Sequence, residues 1–331
     1  MKKEISSPQE YMEMVNAFRV SRILLTSYEL GIFSKLDNGP VSSETIAHQI
    51  QANPRATDRL LNALTALGVI RKKSNLFFNT PFASQYLSEG KPDYLGGIGH
   101  NSSLWNTWSS LTDAVRQGHS VASSGPIGSR DQEYLEAFIA AMHARGVPQS
   151  VEIVGMLDFS GVKKILDVGG GSGAFSFEFL HRIPGCTATI LDLPAVIPIT
   201  KRYVVESGLK DRITLLPGDY LKDDFGGKYD LIYLSAILHI NSPEENQLLI
   251  AKCSEALNDK GHLVIMDHIM SDDRTEPPQG AIFALNMLVG TQHGDTYTEK
   301  EIAGWMTAAG IDNISRKTSA KGTSILSGLK R

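Results

Sequence analysis

The chain has 331 residues, of which 42% are hydrophobic and 21% are charged, and its formal net charge is −4. This composition is that of a soluble globular protein with room for two domains, and the slight acidic excess argues against nucleic acid or an anionic membrane as a partner. Its two cysteines, Cys186 and Cys253, lack metal-ligand spacing and form no disulfide framework, which favours a reducing cytoplasm. No signal peptide is expected at the start, and no stretch approaches the roughly 18 apolar residues of a membrane span.

The first hundred residues predict a separate unit. Residues 11–36 have a helical pattern that is too apolar for a helix with one buried side, so this stretch needs a partner on more than one side. Further helices are predicted after a serine cap within residues 41–44 and after Asn53, which Pro54 follows. Residues 69–78 predict a hairpin, which completes a winged-helix pattern. This pattern leaves DNA binding and self-association open, and the apolar first stretch favours self-association.

A glycine cluster in the middle of the chain is its most informative feature. An apolar run, Ile165 to Val168, ends in five residues of which four are glycine, 169–173, and a helix is predicted to follow. Strand, glycine turn and helix bring a ligand close to bare backbone at the positive end of a helix. Gly169, Gly171 and Ala174 also fit the dinucleotide fingerprint of dehydrogenases, so the turn alone does not decide the ligand.

The strands that follow the glycine turn help to decide which ligand the turn binds. Four are predicted, at residues 187–192, 213–220, 229–234 and 261–267. Asp192 ends the first of these, where a carboxylate can accept both hydroxyls of a ribose. Asp219 and Tyr220 end the next, where an acid can bond the adenine amino group and an aromatic ring can stack on the base. A dehydrogenase has no use for Asp219 or for His239, which comes just after the strand at 229–234.

With these segments the chain resembles the class I S-adenosylmethionine-dependent methyltransferases, and more narrowly the small-molecule O-methyltransferases of the plant caffeate and bacterial acetylserotonin type. The resemblance extends from about residue 11 to residue 331, and its most specific pieces are residues 166–173, 191–194, 218–219 and the segment around His239. It implies an α/β fold: a Rossmann-like methyltransferase domain preceded by an all-helical, winged-helix-like dimerisation domain.

The resemblance also implies the domain limits and the partners. Residues 1–100 would be the dimerisation domain, 101–158 a helical linker that contributes to the substrate pocket, and 159–331 the domain that binds S-adenosylmethionine. A cytoplasmic homodimer is expected, with a small-molecule substrate and without a nucleic-acid or membrane partner. The sequence contains no cluster of carboxylates of the metal-dependent catechol type, so no metal is expected.

The site residues implied by the resemblance fall into three groups. The cofactor would be bound by Gly169, Gly171, Asp192, Leu193, Asp219, Tyr220 and Ser235. The substrate would be contacted by Phe138, Met142, His143, Phe283, Asn286 and Met287. His239 would be the general base and Asp267 the acid that orients it. A phenol, with a pKa of about 10, is mostly protonated at neutral pH, and a histidine beside it can take the proton. His143 is a second candidate base.

Three positions depart from the family pattern. Thr296 stands where a second acid is usual, and Asp295 either replaces that acid by a small shift or begins the next helix. Asn241 stands where an aromatic residue often follows the histidine, and Ser235 stands where a basic residue is common. These departures leave the cofactor site intact but bear on the chemistry at the acceptor.

The predicted function is therefore methyl transfer from S-adenosylmethionine to a hydroxyl of a small aromatic or polyketide-like molecule. Three alternatives remain open. The acceptor atom could be sulfur or carbon, which needs less deprotonation, or the fold could be reused without methyl transfer, as in a hydroxylase or decarboxylase. A DNA-binding regulator that senses S-adenosylmethionine is the third, and the acidic balance and the pair of His239 and Asp267 argue against it.

Overall fold

The computed structural model describes residues 4–121 and 131–331, and its contacts divide the chain into two compact units between Leu104 and Trp105. Each unit has a hydrophobic core of its own. In the described ranges, no helix is both long enough and apolar enough to cross a membrane.

The N-terminal unit is built mainly from helices around a small sheet. Its helices are α1 (Pro8–Asn16), α2 (Phe18–Glu29), α3 (Ile32–Leu36), α4 (Ser43–Gln49) and α5 (Pro54–Ala66), with a π-helical turn at Ala83–Leu87, and α6 (Ile98–Trp108) begins in it. Its strands are β1 (Val41–Ser42), β2 (Ile70–Lys73) and β3 (Leu76–Asn79). The predicted hairpin is β2 with β3, and β1 adds a third, antiparallel strand beside β3, which the sequence analysis did not predict.

The helix boundaries of this unit follow from local chemistry. Ser42 and Asn53 cap α4 and α5, since their side-chain oxygens accept the amides of Thr45 and Ala56 at 3.3 and 3.1 Å. The apolar stretch predicted at 11–36 is interrupted, so that α1, α2 and α3 are separate helices. Gly31, which precedes α3, has a φ of +62°, a conformation that glycine adopts without strain and that ends the preceding helix.

The outer surface of α1 and α2 is unusually apolar for a solvated helix pair. Seven large hydrophobic side chains on these helices are exposed: Tyr11, Met12, Met14, Val15, Phe18, Val20 and Leu24. The interior of the unit is a core that includes Phe33, Leu61, Leu64 and Phe77. Clustered exposed apolar side chains are typical of surfaces that bind other molecules.

The second unit is a helix-covered sheet. Its helices are α7 (Leu111–Gln117), α8 (Gln132–Val154), α9 (Ala174–Arg182), α10 (Ile197–Glu206), α11 (Pro243–Ala256), α12 (Pro278–Gly290) and α13 (Glu299–Ala308). Its strands are β4 (Lys164–Val168), β5 (Thr187–Asp192), β6 (Ile213–Pro217), β7 (Tyr229–Ser235), β8 (Leu257–Asp267), β9 (Ile311–Thr318) and β10 (Ser324–Lys330). Short 3₁₀ turns occupy Lys210–Arg212 and Leu238–Ile240.

The strands of this unit form one sheet in the order β6-β5-β4-β7-β8-β10-β9. The first five are parallel, as predicted, and β10 and β9 continue the sheet in antiparallel pairing. Strands β9 and β10 were not predicted from the sequence. In an open parallel sheet the ligand crevice lies at the carboxyl ends of the strands, near the point where the strand order reverses. Here β4 ends at that point, between β5 and β7.

Candidate active site

The turn after β4 is shaped by glycines with left-handed backbone. Gly169 and Gly171 have φ values of +64° and +56°, and the Gly169 amide donates to the carbonyl of Leu191 at 2.7 Å, which holds the turn against β5. A Cβ atom on Gly171 would meet a single side-chain atom, of Ile139, at 3.6 Å. The space beside Gly171 is therefore largely open, whereas a Cβ atom on Gly169 would be 2.3 Å from the Ile237 side chain.

Asp192 ends β5 beside this turn. Its Oδ2 accepts the amide of Gly171 and its Oδ1 accepts the amide of Leu193, both at 2.7 Å. Burial raises the pKa of this carboxyl to about 6, although the two amides act to lower it. A carboxylate has about four lone-pair sites, so two remain for further donors such as the hydroxyls of a ribose.

A second carboxylate lies below the glycine turn. Asp167, within β4, is 1% exposed, and its Oδ2 accepts the hydroxyl of Ser176 at 2.7 Å. Its Oδ1 has no hydrogen-bond partner among the residues that the structure describes. An unpaired buried carboxylate oxygen is costly, so this atom fits a ligand that brings a donor. The turn, Asp192 and Asp167 together fit a nucleoside that carries an amino group. The sequence analysis did not name Asp167.

Asp219 and Tyr220 follow β6 at the same edge of the sheet. Burial acts to raise the pKa of Asp219, but hydrogen bonds from the Lys222 ammonium at 2.7 Å and from the Leu221 amide outweigh it, and the pKa is lowered. The Tyr220 ring is half-buried and its hydroxyl donates to Oδ1 of Asn241 at 2.8 Å. Ser235 ends β7 in register with Met266 of β8, two strands away from Asp192.

His239 and Asp267 meet although 28 residues separate them. His239 lies in the 3₁₀ turn after β7 and Asp267 ends β8, and these two parallel strands are neighbours in the sheet. The Nδ1 of His239 is 2.7 Å from Oδ1 of Asp267, and the side chains are only 10% and 4% exposed. Burial acts to raise the pKa of Asp267, but the charge and hydrogen bond of His239 outweigh it and the pKa is lowered. The carboxylate therefore stays ionised, and the bond to Nδ1 leaves Nε2 of the imidazole available.

Three predicted substrate residues, all on α12, are placed on the His239 side of the sheet. The Phe283 ring stands edge-on to the His239 ring, with 4.9 Å between centroids and 89° between planes. Oδ1 of Asn286 accepts the indole N–H of Trp108 at 2.8 Å, which leaves the amide NH₂ of Asn286 free to donate elsewhere. Met287 is buried, whereas Phe283 and Asn286 are half-buried.

The predicted substrate residues of α8 lie nearer to the glycine turn. Phe138 packs in a cluster with Leu193, at the end of β5. Nδ1 of His143 is 2.9 Å from the hydroxyl of Ser172 in the turn, and its ring contacts Tyr203 with 4.3 Å between centroids. Met142 is half-buried beside His143 in the sequence. The structure thus brings His143 to the cofactor side of the site rather than to Phe283.

The segment that departs from the family pattern pairs with Arg274 and packs against the turn that carries His239. Thr296 is buried, whereas Asp295 is half-buried and pairs with the Arg274 guanidinium at 3.1 Å. Helix α13 begins later, at Glu299, with Thr298 as its cap. Asp295 therefore does not begin that helix. Gly294, just before it, fits tightly against His239, because a Cβ atom there would be 2.4 Å from the His239 carbonyl oxygen.

Asn241 lies at the centre of a buried polar network that the sequence did not reveal. Its Oδ1 accepts the Tyr220 hydroxyl, and its Nδ2 donates to Oδ1 of Asn246 at 3.1 Å. Asn246 in turn donates to the carbonyl of Leu238 at 2.9 Å, and the Tyr297 hydroxyl donates to the carbonyl of Asn241. Where the family often has an aromatic residue, this chain links the end of β6 to the turn that carries His239 by hydrogen bonds.

A glycine turn bonded to a carboxylate on the neighbouring strand, with a histidine and an acid joined at the ends of the next two strands, defines a class I S-adenosylmethionine-dependent methyltransferase. The chain also matches the family model of the O-methyltransferase domain over residues 108–312 and that of the O-methyltransferase dimerisation domain over residues 12–89. The chain belongs to the O-methyltransferase family.

Individual relatives agree with this assignment. The chain is 30% identical over 302 residues to a 3-hydroxy-5-methyl-1-naphthoate 3-O-methyltransferase of Streptomyces sahachiroi, covering 89% of this chain and 86% of the relative. It is 28% identical to the tetracenomycin polyketide synthesis 8-O-methyl transferase TcmO of Streptomyces glaucescens, covering 97% and 96%. Among solved structures, PigF with SAH has the same fold, with a TM-score of 0.90, 24% identity and coverage of 98% of this chain and 100% of that chain.

Proposed function

We propose that this enzyme transfers a methyl group from S-adenosylmethionine to a hydroxyl of a small aromatic or polyketide-like molecule, with His239 as the general base. The observation that carries the proposal is the 2.7 Å contact between His239 Nδ1 and Asp267, with the Phe283 ring against the same imidazole. It combines an oriented base with an apolar surface on which an aromatic acceptor can lie.

The cofactor side of the site supports the donor. Gly169 and Gly171 would allow close approach of the ligand, Asp192 would accept the ribose hydroxyls, and Asp219 with Tyr220 would bind the adenine. Leu193 and Ser235 would line the same pocket, and Oδ1 of Asp167 would accept the amino group. When bound, S-adenosylmethionine supplies a methyl group on a sulfonium, which is already a good leaving group.

The remaining steps are deprotonation of the acceptor hydroxyl and orientation of the acceptor ring. Asp267 holds the tautomer of His239 in which Nδ1 carries the proton, so Nε2 can accept the proton of the substrate hydroxyl. Phe283, Asn286 and Met287 would hold the acceptor ring in line for displacement, which is the main contribution of a protein to such a reaction. The relatives that act on a naphthoate and in polyketide synthesis support an aromatic or polyketide-like acceptor.

The cofactor assignment is tested by calorimetric binding of S-adenosylhomocysteine to the wild type and to Asp192→Ala. Charge-assisted hydrogen bonds contribute about 1.5–3 kcal/mol each, so loss of two to the ribose should weaken binding by about 100-fold or more. Asp211→Ala, which removes an exposed aspartate away from the glycine turn, should bind as the wild type does. Equal affinities in Asp192→Ala and the wild type would contradict the ribose assignment.

We also propose that the enzyme is a homodimer formed through the N-terminal unit. The family model supports a dimerisation role for residues 12–89, and the apolar surface of α1 and α2 supplies a face to be covered.

Phe18 is 52% exposed on that surface, so Phe18→Glu would place a charge in the dimer interface and should shift the protein to monomers in sedimentation velocity. Val205→Glu on α10, where the valine is 59% exposed, is the matched control and should not change the oligomeric state. A Phe18→Glu protein that sediments as a dimer would refute this interface.

A further inference from the structure

His268 is an imidazole at the acceptor site to which the mechanism above assigns no role. It directly follows Asp267 at the end of β8. Its ring stacks on Phe283, with 4.2 Å between centroids and 28° between planes, and lies 6.2 Å from the His239 ring. The Phe283 ring is therefore perpendicular to one imidazole and nearly parallel to the other, and both histidines lie beside it at the carboxyl end of the sheet.

The nitrogens of the His268 ring are available to a ligand. The ring is half-buried, and neither nitrogen has a hydrogen-bond partner among residues 4–121 and 131–331. By contrast, one nitrogen of His239 is bonded to Asp267 and one nitrogen of His143 to Ser172. Because stacking on Phe283 fixes the plane of the His268 ring, a hydrogen bond from it would be directional as well as available.

The charges around His268 favour an oxygen function as its partner. Burial is the main cause that lowers the pKa of His268, and the nearby charges of His239 and Arg145 add to it against the opposing pull of Asp267. A neutral imidazole donates one hydrogen bond and accepts another. Asp267, the carboxylate beside the ring, is already bonded to His239, and Arg145 on α8 has no ion pair within the described residues. A cationic amine would find no free carboxylate here, whereas a hydroxyl, ketone or carboxylate can accept a hydrogen bond from the imidazole, and a hydroxyl can also donate one to it.

We propose that His268 is a second substrate-binding residue, which hydrogen-bonds an oxygen substituent next to the hydroxyl that His239 deprotonates. The preferred acceptors are then aromatic compounds with two oxygen functions on the same edge of the ring system, in ortho or peri positions. An acceptor with a single hydroxyl would contact His239 alone. This inference rests on the proposed function and specifies its substrate class.

Four naphthalene probes test it with the wild type and His268→Phe. 1,8-Dihydroxynaphthalene and 3-hydroxy-2-naphthoate carry adjacent oxygens, whereas 1-naphthol and 2-naphthol lack the second one. We expect wild-type kcat/KM to be about tenfold higher or more for the first two, as one hydrogen bond to a neutral or charged group predicts. His268→Phe keeps the stacking on Phe283 but loses the nitrogens. It should abolish the preference for adjacent oxygens, mainly by raising KM for the first two probes. The kcat/KM values for 1-naphthol and 2-naphthol should stay within about twofold of those of the wild type.

Two controls separate this role from a structural one. His268→Asn restores a donor and an acceptor, so it should recover part of the preference that phenylalanine abolishes. Affinity for S-adenosylhomocysteine should be the same in all three proteins. The inference would be overturned if His268→Phe lowered kcat/KM equally for all four probes. It would also be overturned if the wild type bound S-adenosylhomocysteine but had no preference for probes with adjacent oxygens. Failure of the wild type to bind S-adenosylhomocysteine would instead count against the proposed function itself.

Discussion

Replacing His239 with glutamine should lower kcat by about 10²–10⁴-fold, the usual contribution of a positioned general base. Glutamine fills much of the same space and still contacts Asp267 through its amide, but it has no nitrogen that can take a proton at neutral pH. Affinity for S-adenosylhomocysteine should not change, because the imidazole is bonded to Asp267 and faces Phe283, on the acceptor side of the site. The measurement is steady-state methyl transfer to an accepted phenol, with calorimetry for the cofactor product.

His262→Gln is the matched control for this substitution. His262 is a half-buried histidine in the middle of β8, five residues before Asp267, where it pairs with Leu329. It should retain the activity of the wild type. Full activity in His239→Gln would mean that the acceptor loses its proton to another group or to water, and the assignment of the base would have to be abandoned.

The second large effect is expected from a glycine that makes no contact with a ligand. In Gly294→Ala the new Cβ atom would lie 2.4 Å from the carbonyl oxygen of His239, 2.6 Å from Oγ1 of Thr291 and 3.2 Å from the carbonyl oxygen of Ile240. The threonine side chain can rotate away, but the carbonyls belong to the turn that positions the base. A shift of about 1 Å in a catalytic group can cost about 10²-fold in rate, and we expect a loss of kcat of that order.

Gly290→Ala separates this effect from the general consequences of adding a methyl group. Gly290 ends α12, and a Cβ atom there would meet nothing within 4 Å, so its activity should match that of the wild type. Both variants should bind S-adenosylhomocysteine normally. If Gly294→Ala turns over at the wild-type rate, the turn at His239 tolerates displacement, and its position is less restrictive than the contacts indicate.

Much of this site could be predicted because parallel strands deliver their ends to one edge of a sheet. The apolar runs of β4, β5, β6, β7 and β8 are each followed by a glycine or by a polar residue with an evident chemical use. The parallel arrangement of these strands then places those residues at the same edge of the sheet. That rule is sufficient to bring Asp192 to the glycine turn and Asp267 to His239. It needs only local patterns and one topological principle.

The remaining features depend on packing between segments far apart in the sequence. The helical pattern of α8 predicts a helix but not its neighbours, which is why the positions of Phe138 and His143 beside the cofactor turn could not be foreseen. The same holds for the stacking of His268 on Phe283 and for the closeness of Gly294 to His239. Strand β9 was missed because it lies at the edge of the sheet and has only two apolar residues, Ile311 and Ile314, which gives a weak apolar signal.

The polar network around Asn241 also constrains how this sequence can evolve. An aromatic residue at position 241 would leave the hydroxyl of Tyr220 and the side-chain oxygen of Asn246 without partners, at a cost of about 1–3 kcal/mol each. Compensation would require an apolar residue at 246 and loss of the hydroxyl at 220, and each of those changes made first would also leave a partner unsatisfied. The two forms of this loop are therefore separated by intermediates of lower fitness, and a lineage that has acquired the amide pair should keep it.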